Sequence, residues 1–266
     1  MSYIIAIANE KGGVAKTTSS LSLGAALVET GKQVLLVDLD PQANLTLAMG
    51  IDKPSLSIAN ILLEGVPPFK VSLKTGIPGL DIIPSNAEMS LAERFLSIKK
   101  NYENILRQAL RDNARLSNHN GPGTYDYLIL DCPPYLGAVT HTALMAADLL
   151  IMPTQPEYFS IHALGNMMSF IRRIRSQSNP YLTYRLLITL FDGRNRNHRT
   201  LSEQLRTTFK DGVLETIISV DTKLRECPIA GLPIIYYAPH SRAATQYRAL
   251  AQEILQYVKD TAKQPA

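Results

Sequence analysis

Apolar residues along the chain fall into two rhythms. Short, mostly apolar runs (Tyr3 to Ala8, Gln33 to Leu39, Gly79 to Ile83, Tyr125 to Leu130, Leu149 to Met152 and Tyr184 to Leu190) lack the in–out alternation of a half-exposed strand. Runs of that length and continuity belong inside a parallel sheet covered on both faces. Between them lie segments with helical spacing. Thr17 to Thr30 is apolar on more than one face and stops at Gly31-Lys32, a good helix terminator. Ser90 to Phe95, Asn101 to Leu116 and a long stretch from Ser241 to about Thr261 also read as helices, whereas Pro67-Pro68 and Ser117 to Gly123 read as loops. Strand and helix in alternation predict an α/β fold: a doubly wound, mostly parallel sheet flanked by helices.

Composition sets the scale. The chain has 266 residues, 45% hydrophobic and 19% charged, enough for one substantial core, so residues 1–266 are expected to form a single domain. No apolar run approaches the ~20 residues of a membrane span, and Met1-Ser2 leaves no room for a signal peptide before the first strand. Cys132 and Cys227 make neither a metal spacing nor a disulfide framework and read as small core residues. A cytoplasmic protein is the expectation.

The chemistry starts where the first strand ends. Glu10-Lys11-Gly12-Gly13-Val14-Ala15-Lys16-Thr17-Thr18 joins that strand to the first helix. A strand that stops at paired glycines and restarts as a helix aims successive N–H groups, and the positive end of the helix dipole, at one spot, which binds phosphate. By the logic of phosphate loops, Lys16 supplies a point charge to the outer phosphates and Thr17 an oxygen for Mg²⁺. The general pattern GxxxxGK[ST] is broken twice, by Glu10 and Ala15 where glycines would stand. A methyl group at φ > 0 costs about 1–2 kcal/mol, so Ala15 is expected to hold an ordinary helical φ.

Two further strands end in acids. Asp38 and Asp40 follow Val34-Leu35-Leu36-Val37; two apart in extended chain, both are expected to face the crevice outside the strand ends, where open α/β sheets bind ligands. Asp131 closes Tyr127-Leu128-Ile129-Leu130 and can hold magnesium, directly or through water, opposite Thr17.

The loop fits KGGxxKT[TS], and the chain thereby resembles the ParA/MinD family of deviant Walker A ATPases. Asp38-Leu39-Asp40-Pro41-Gln42-Ala43-Asn44 is similar to the family's DxDPQxN, Asp131-Cys132-Pro133-Pro134 to its D-[CT]-P-P, and Gln155-Pro156-Glu157-Tyr158-Phe159 to a segment more specific to ParA than to MinD. The resemblance implies a slow, partner-stimulated ATPase that takes ATP and Mg²⁺. Residues 11–18, from Lys11 through Gly12, Gly13, Val14, Ala15, Lys16 and Thr17 to Thr18, would bind nucleotide. Lys11 would reach the phosphates of a second subunit in an ATP-sandwich homodimer, Asp40 would position the attacking water, and Asp38 would stand behind the magnesium. Phe191-Asp192-Gly193-Arg194 would lie near the base.

Charge distribution bears on partners. Between Arg172 and Arg199 seven arginines face the single acid Asp192, a window of +6 against −2 for the rest of the chain. ParA proteins of the Soj class bind DNA without sequence preference, so Arg194, Arg196, Arg199, Lys223 and Arg225 are candidate contacts, with nucleoid association expected. The resemblance also implies a ParB-like or other cargo adaptor with a basic N-terminal tail. The cargo stays open between chromosome, plasmid, carboxysome-like organelle and chemosensory cluster. Alternatives include a MinD-like membrane-cycling ATPase, although the tail from Val258 has no apolar face to insert. A nitrogenase-iron-protein-like reductase lacks its cluster cysteines here. A metabolic ligase of the same fold is opposed only by the two motif matches.

Overall fold

A computed structural model describes residues 2–111 and 125–262. Its strands are β1 (Tyr3–Ile7), β2 (Val34–Asp38), β3 (Leu73–Lys74), β4 (Leu80–Ile83), β5 (Tyr127–Asp131), β6 (Leu149–Thr154), β7 (Thr183–Phe191) and β8 (Val213–Ser219). They form one eight-stranded sheet in the order β3-β4-β2-β5-β1-β6-β7-β8, parallel except where the two-residue β3 pairs antiparallel with β4 at an edge. The helices of five residues or more are α1 (Lys16–Glu29), α2 (Asn44–Ala48), α3 (Ile58–Glu64), α4 (Met89–Leu96), α5 (Ile105–Arg111), α6 (Ala138–Ala146), α7 (Tyr158–Gln177), α8 (Arg196–Phe209), α9 (Lys223–Ala230) and α10 (Arg242–Ala262).

Alternate residues of each central strand enter opposite layers. Ile4 and Ala6 of β1 pack with residues of α3 to α7, whereas Ile5 and Ile7 pack with α1, α2, α9 and α10. Both faces are covered, which is why these strands read as continuous apolar runs. Helix α1 lies unusually close: a Cβ on Gly24 would stand 2.8 Å from Leu36 Cδ2, so glycine there permits the approach. The expected helix over Asn101 to Leu116 is a 3₁₀ turn at Tyr102–Asn104 followed by α5; its last part and the loop Ser117 to Gly123 lie outside the described residues. Pro68, read as loop, instead starts a one-turn helix to Val71, a position where the missing N–H of proline costs nothing.

The strand order sets the functional edge. β1 sits in the middle with β5 on one side and β6 on the other, and the chain turns from building one half-sheet to the other across it. The crevice at such a switch point opens outside the carboxyl ends of the strands. The loops after β1, β2 and β5 all emerge there.

Candidate functional site

The loop after β1 is held open by its neighbours. Asn9 donates from Nδ2 to the Pro153 carbonyl (2.8 Å) and accepts at Oδ1 from the Lys11 N–H (3.0 Å), and the fully buried Val14 accepts at its carbonyl from Thr189 Oγ1 (3.0 Å). Gly13 (φ 75°) and Ala15 (φ 66°) are both left-handed. The helical φ expected of Ala15 is therefore wrong: the turn needs a left-handed residue just before α1, and the chain accepts the methyl strain. Strain of that kind collects where surrounding structure fixes a site. Helix α1 then starts with no side-chain cap and no acid in its first turn, so its leading N–H groups are left for a ligand.

Gly12, Gly13, Ala15, Lys16, Thr17 and Thr18 form one wall of a cavity of about 460 Å³. Asp40, Gln42, Asn44 and α2 form the opposite wall, and Pro134 with Leu224, Cys227, Pro228 and Ile234 close it. Lys16 is 7% exposed, and its Nζ donates to the Lys11 carbonyl (3.0 Å). Burial lowers its pKa, with the Asp131 carboxylate pulling the other way.

The two acids after β2 do not share a direction. Asp40 lines the cavity, with Oδ1 accepting from the Gln42 N–H (2.9 Å). Asp38, expected to face the crevice as well, turns away from it: Oδ2 accepts from the Thr46 N–H (2.9 Å) and Oγ1 (2.7 Å), and Oδ1 from the Asp40 N–H (3.1 Å). The strand ends at Asp38, so the period of two that would align the pair is already lost. Burial pushes the Asp38 carboxyl up to about 6. It is the register partner of Asp131 on the neighbouring β5.

Asp131 is 1% exposed and accepts at Oδ1 from Ser20 Oγ (2.8 Å), while Oδ2 is buried with no partner. Burial, then the Asp38 charge, pushes it up to about 7, and the Thr17 and Ser20 hydroxyls pull the other way. A buried carboxylate oxygen without a partner is costly, and beside a hydroxyl it fits a hard cation. Among the described residues no three His, Cys, Asp or Glu side chains converge on a metal position. Mg²⁺ takes one or two protein oxygens and completes its shell with water and phosphate, a demand that the Asp131 carboxylate and the Thr17 hydroxyl fit. Ser20 was not foreseen; its only sequence signal is its place one helical turn after Lys16.

Other expected residues are placed elsewhere. Lys11 does not line the cavity: its Nζ donates to Glu157 Oε2 (2.9 Å) and Ser160 Oγ (2.8 Å). Phe191, Asp192, Gly193 and Arg194 line a second cavity of about 530 Å³ with Ser219, Val220 and Arg242, at the carboxyl ends of β7 and β8. Of the basic window, Arg175 lies over Tyr184 and donates to the Leu182 carbonyl, and Arg185 lies over Tyr257. Arg194 grips Asp192 with two nitrogens yet is 92% exposed; Arg199 donates to the Gly193 carbonyl, and Lys223 pairs with Glu226. Arg196 and Arg225 are exposed. Both cysteines are buried, and burial raises both thiols.

The chain resembles proteins of known name over its whole length. Residues 2–184 match the family described as AAA domain. The sporulation initiation inhibitor protein Soj of Bacillus subtilis is 37% identical, over 96% of this chain and 98% of its own. The chromosome partitioning protein ParA of Caulobacter vibrioides is 34% identical, over 97% and 95%. Among solved structures, one titled cobyrinic acid a,c-diamide synthase, from Mycobacterium smegmatis with a bound ATP analogue and magnesium, superposes with a TM-score of 0.84 at 33% identity, over 100% of this chain and 99% of that one. Similarity over nearly the full length of Soj and ParA, with the phosphate loop and three strand-end acids in place, puts the chain in the ParA/MinD family of P-loop ATPases, on the ParA/Soj side.

Proposed function

We propose that the protein is a ParA-type ATPase that binds ATP with Mg²⁺, dimerises around the nucleotide, holds DNA without sequence preference and positions a cargo. The observation that supports this most is the convergence on one cavity of the uncapped α1 terminus, Lys16 and Asp40, with Asp131, whose Oδ2 is buried without a partner, bonded to Ser20 of the same helix. Phosphoryl transfer asks the protein mainly for positioning and charge stabilisation. In this reading Gly12 to Thr18 and Lys16 hold the phosphates, Thr17 and Asp131 hold Mg²⁺, which would neutralise developing phosphate charge, and Asp40 orients the attacking water. The cavity beyond β7 and β8 receives the base. Lys11 stands outside its own cavity, as a residue that serves a second copy would. Residues 1–266 act as one domain, and Arg194, Arg196 and Arg199 together with Lys223 and Arg225 contact DNA phosphates. A ParB-like or other adaptor with a basic tail stimulates hydrolysis and resets the dimer, and the complex rides on the nucleoid.

The likeness to the diamide synthase structure favours a second reading, an ATP-dependent amidation. If ammonia came from glutamine, such an enzyme would need a thiolate nucleophile; Cys132 and Cys227 are both buried with raised thiol pKa values. Among the described residues no helix is long and apolar enough to cross a membrane, though surface attachment of the MinD kind needs no such helix. The test is retention of the purified protein on non-specific duplex DNA at about 100 mM salt, where several phosphate contacts still hold. Retention with ATP but not ADP is expected. No retention in either state would remove the DNA-riding reading and move the ligase and MinD-like readings ahead.

A further inference from the structure

Glu157 sits where it could cap α7 and does not. It is the N-cap residue, in extended conformation, yet its side chain makes no capping bond. An acid at a helix N-terminus is ordinarily favoured by the N–H groups and dipole there. Instead the Glu157 carboxylate turns to Lys11 Nζ at 2.9 Å, and the buried Ser160, one turn into α7, accepts from the same ammonium at 2.8 Å. Asn166, further along the helix, donates to Glu10 Oε1 at 2.9 Å. The start of the phosphate loop is thus tied to α7 by side chains from two successive loop residues, across about 150 positions of sequence.

We infer that Glu157 and Ser160 park Lys11 in the single chain, and that nucleotide phosphate on a second copy competes with Glu157 for it. This rests on the dimer reading above. The carboxylate is a stand-in for phosphate, and once Lys11 leaves it remains at the N-terminus of α7, where the helix dipole favours an acid. Both ends of the swap are therefore favoured, which keeps it reversible. Lys11 and Glu157 side chains are 28% and 45% exposed, so the pair is screened, and releasing one costs a factor of about three in equilibrium. A symmetric dimer releases two, which makes about tenfold in its dissociation constant.

Glu157→Gln and Ser160→Ala test this by two readouts. Without nucleotide, amine acylation of Lys11 followed by peptide mass spectrometry should run about threefold faster in Glu157→Gln than in wild type; equal rates overturn the parking. With ATP, sedimentation should give a dimer dissociation constant about tenfold lower for Glu157→Gln, and lower for Ser160→Ala; an unchanged or weaker dimer overturns the competition. Unaltered nucleotide affinity of the single chain certifies that each variant is folded. A wild-type chain that stays monomeric with ATP overturns the dimer reading and the competition with it, while the acylation rates decide the parking by themselves.

Discussion

At the scale of single residues, the site is a set of charges placed where water is scarce. Lys16→Ala is expected to weaken ATP binding by tenfold or more, because a hydrogen bond to a charged partner contributes about 1.5–3 kcal/mol; isothermal titration checks it, and unchanged affinity would take Lys16 out of the site. Asp40→Asn keeps an acceptor for the Gln42 N–H and should still bind ATP, but should cut turnover by about a hundredfold or more, read by phosphate release. Ala15→Gly should raise stability by about 0.5–1 kcal/mol in urea, since relief of the left-handed methyl outweighs the added freedom of the unfolded chain; a loss of stability would mean the methyl is not strained. This last residue marks what the sequence hid. Lys16, Thr17, Asp40 and Asp131 were legible because each is adjacent to a strand or helix end that hydrophobic pattern locates. The φ of Ala15 and the direction of Asp38 were not: both depend on how a turn closes after regular structure stops, where no periodicity speaks.

At the scale of elements, side chains fix how helices meet the sheet edge. Asp38 binds the Thr46 N–H and hydroxyl, and Ser85 at the end of β4 donates from its N–H to that hydroxyl and from Oγ to the Asp40 carbonyl. The start of α2 is therefore carried by two strand ends at once. Far from it, Arg248 on α10 grips Glu29 at the last residue of α1 with Nε and Nη2. An acid is unfavourable at a helix C-terminus, and the guanidinium offsets it, lowering the Glu29 pKa below its ordinary value. The sign follows: the pair stabilises the fold above the unfolded pKa of Glu29, and the contribution is lost as pH falls through the lowered folded value. Arg248→Ala should cost about 0.2–1 kcal/mol near neutral pH, since both side chains are partly exposed. Denaturation of both proteins across the acid range should show that cost shrinking toward low pH; a pH-independent cost would assign it to the lost bond with the Pro239 carbonyl instead. Strand and helix types were readable here from apolar rhythm, whereas ties such as Lys11 to Glu157 join residues too distant in sequence for any local pattern to reveal.

At the scale of the whole molecule, the basic residues are spread rather than focused. Arg194, Arg196, Arg199, Lys223 and Arg225 sit on exposed positions of the β7–α8 turn, α8 and α9, and Arg194 and Lys223 are already paired with Asp192 and Glu226. On the proposed DNA-binding reading a single chain would make few phosphate contacts, and a two-fold pair would double them. Log affinity for duplex should fall linearly with log salt, and replacing Arg194 and Arg196 with alanine should flatten the slope without altering nucleotide binding. A slope that does not move would place the DNA surface elsewhere. The sheet, the layers and the phosphate loop followed from sequence pattern, since parallel strands covered on both faces leave a plain signature. The arginines did not sort themselves in sequence, because Arg175 and Arg185, which stack on tyrosines, look the same there as the exposed Arg196.

Helix α10 packs along α1, and the fully buried Tyr247 hydroxyl meets Ser19 Oγ at 3.1 Å. The helix that carries the phosphate loop is therefore seated by residues about 230 positions later in the chain. On the ribosome this imposes an order of events. The loop emerges well before α10, and it stays without its seat until that helix has cleared the exit tunnel, many seconds afterwards at about 5–20 residues per second. A nascent chain stalled at about residue 240 should fail to retain ATP, and one extended past residue 262 by an unstructured linker should retain it. The protein would then become a nucleotide-binding molecule only once α10 is in place, so that a chain still short of that helix would not compete for nucleotide.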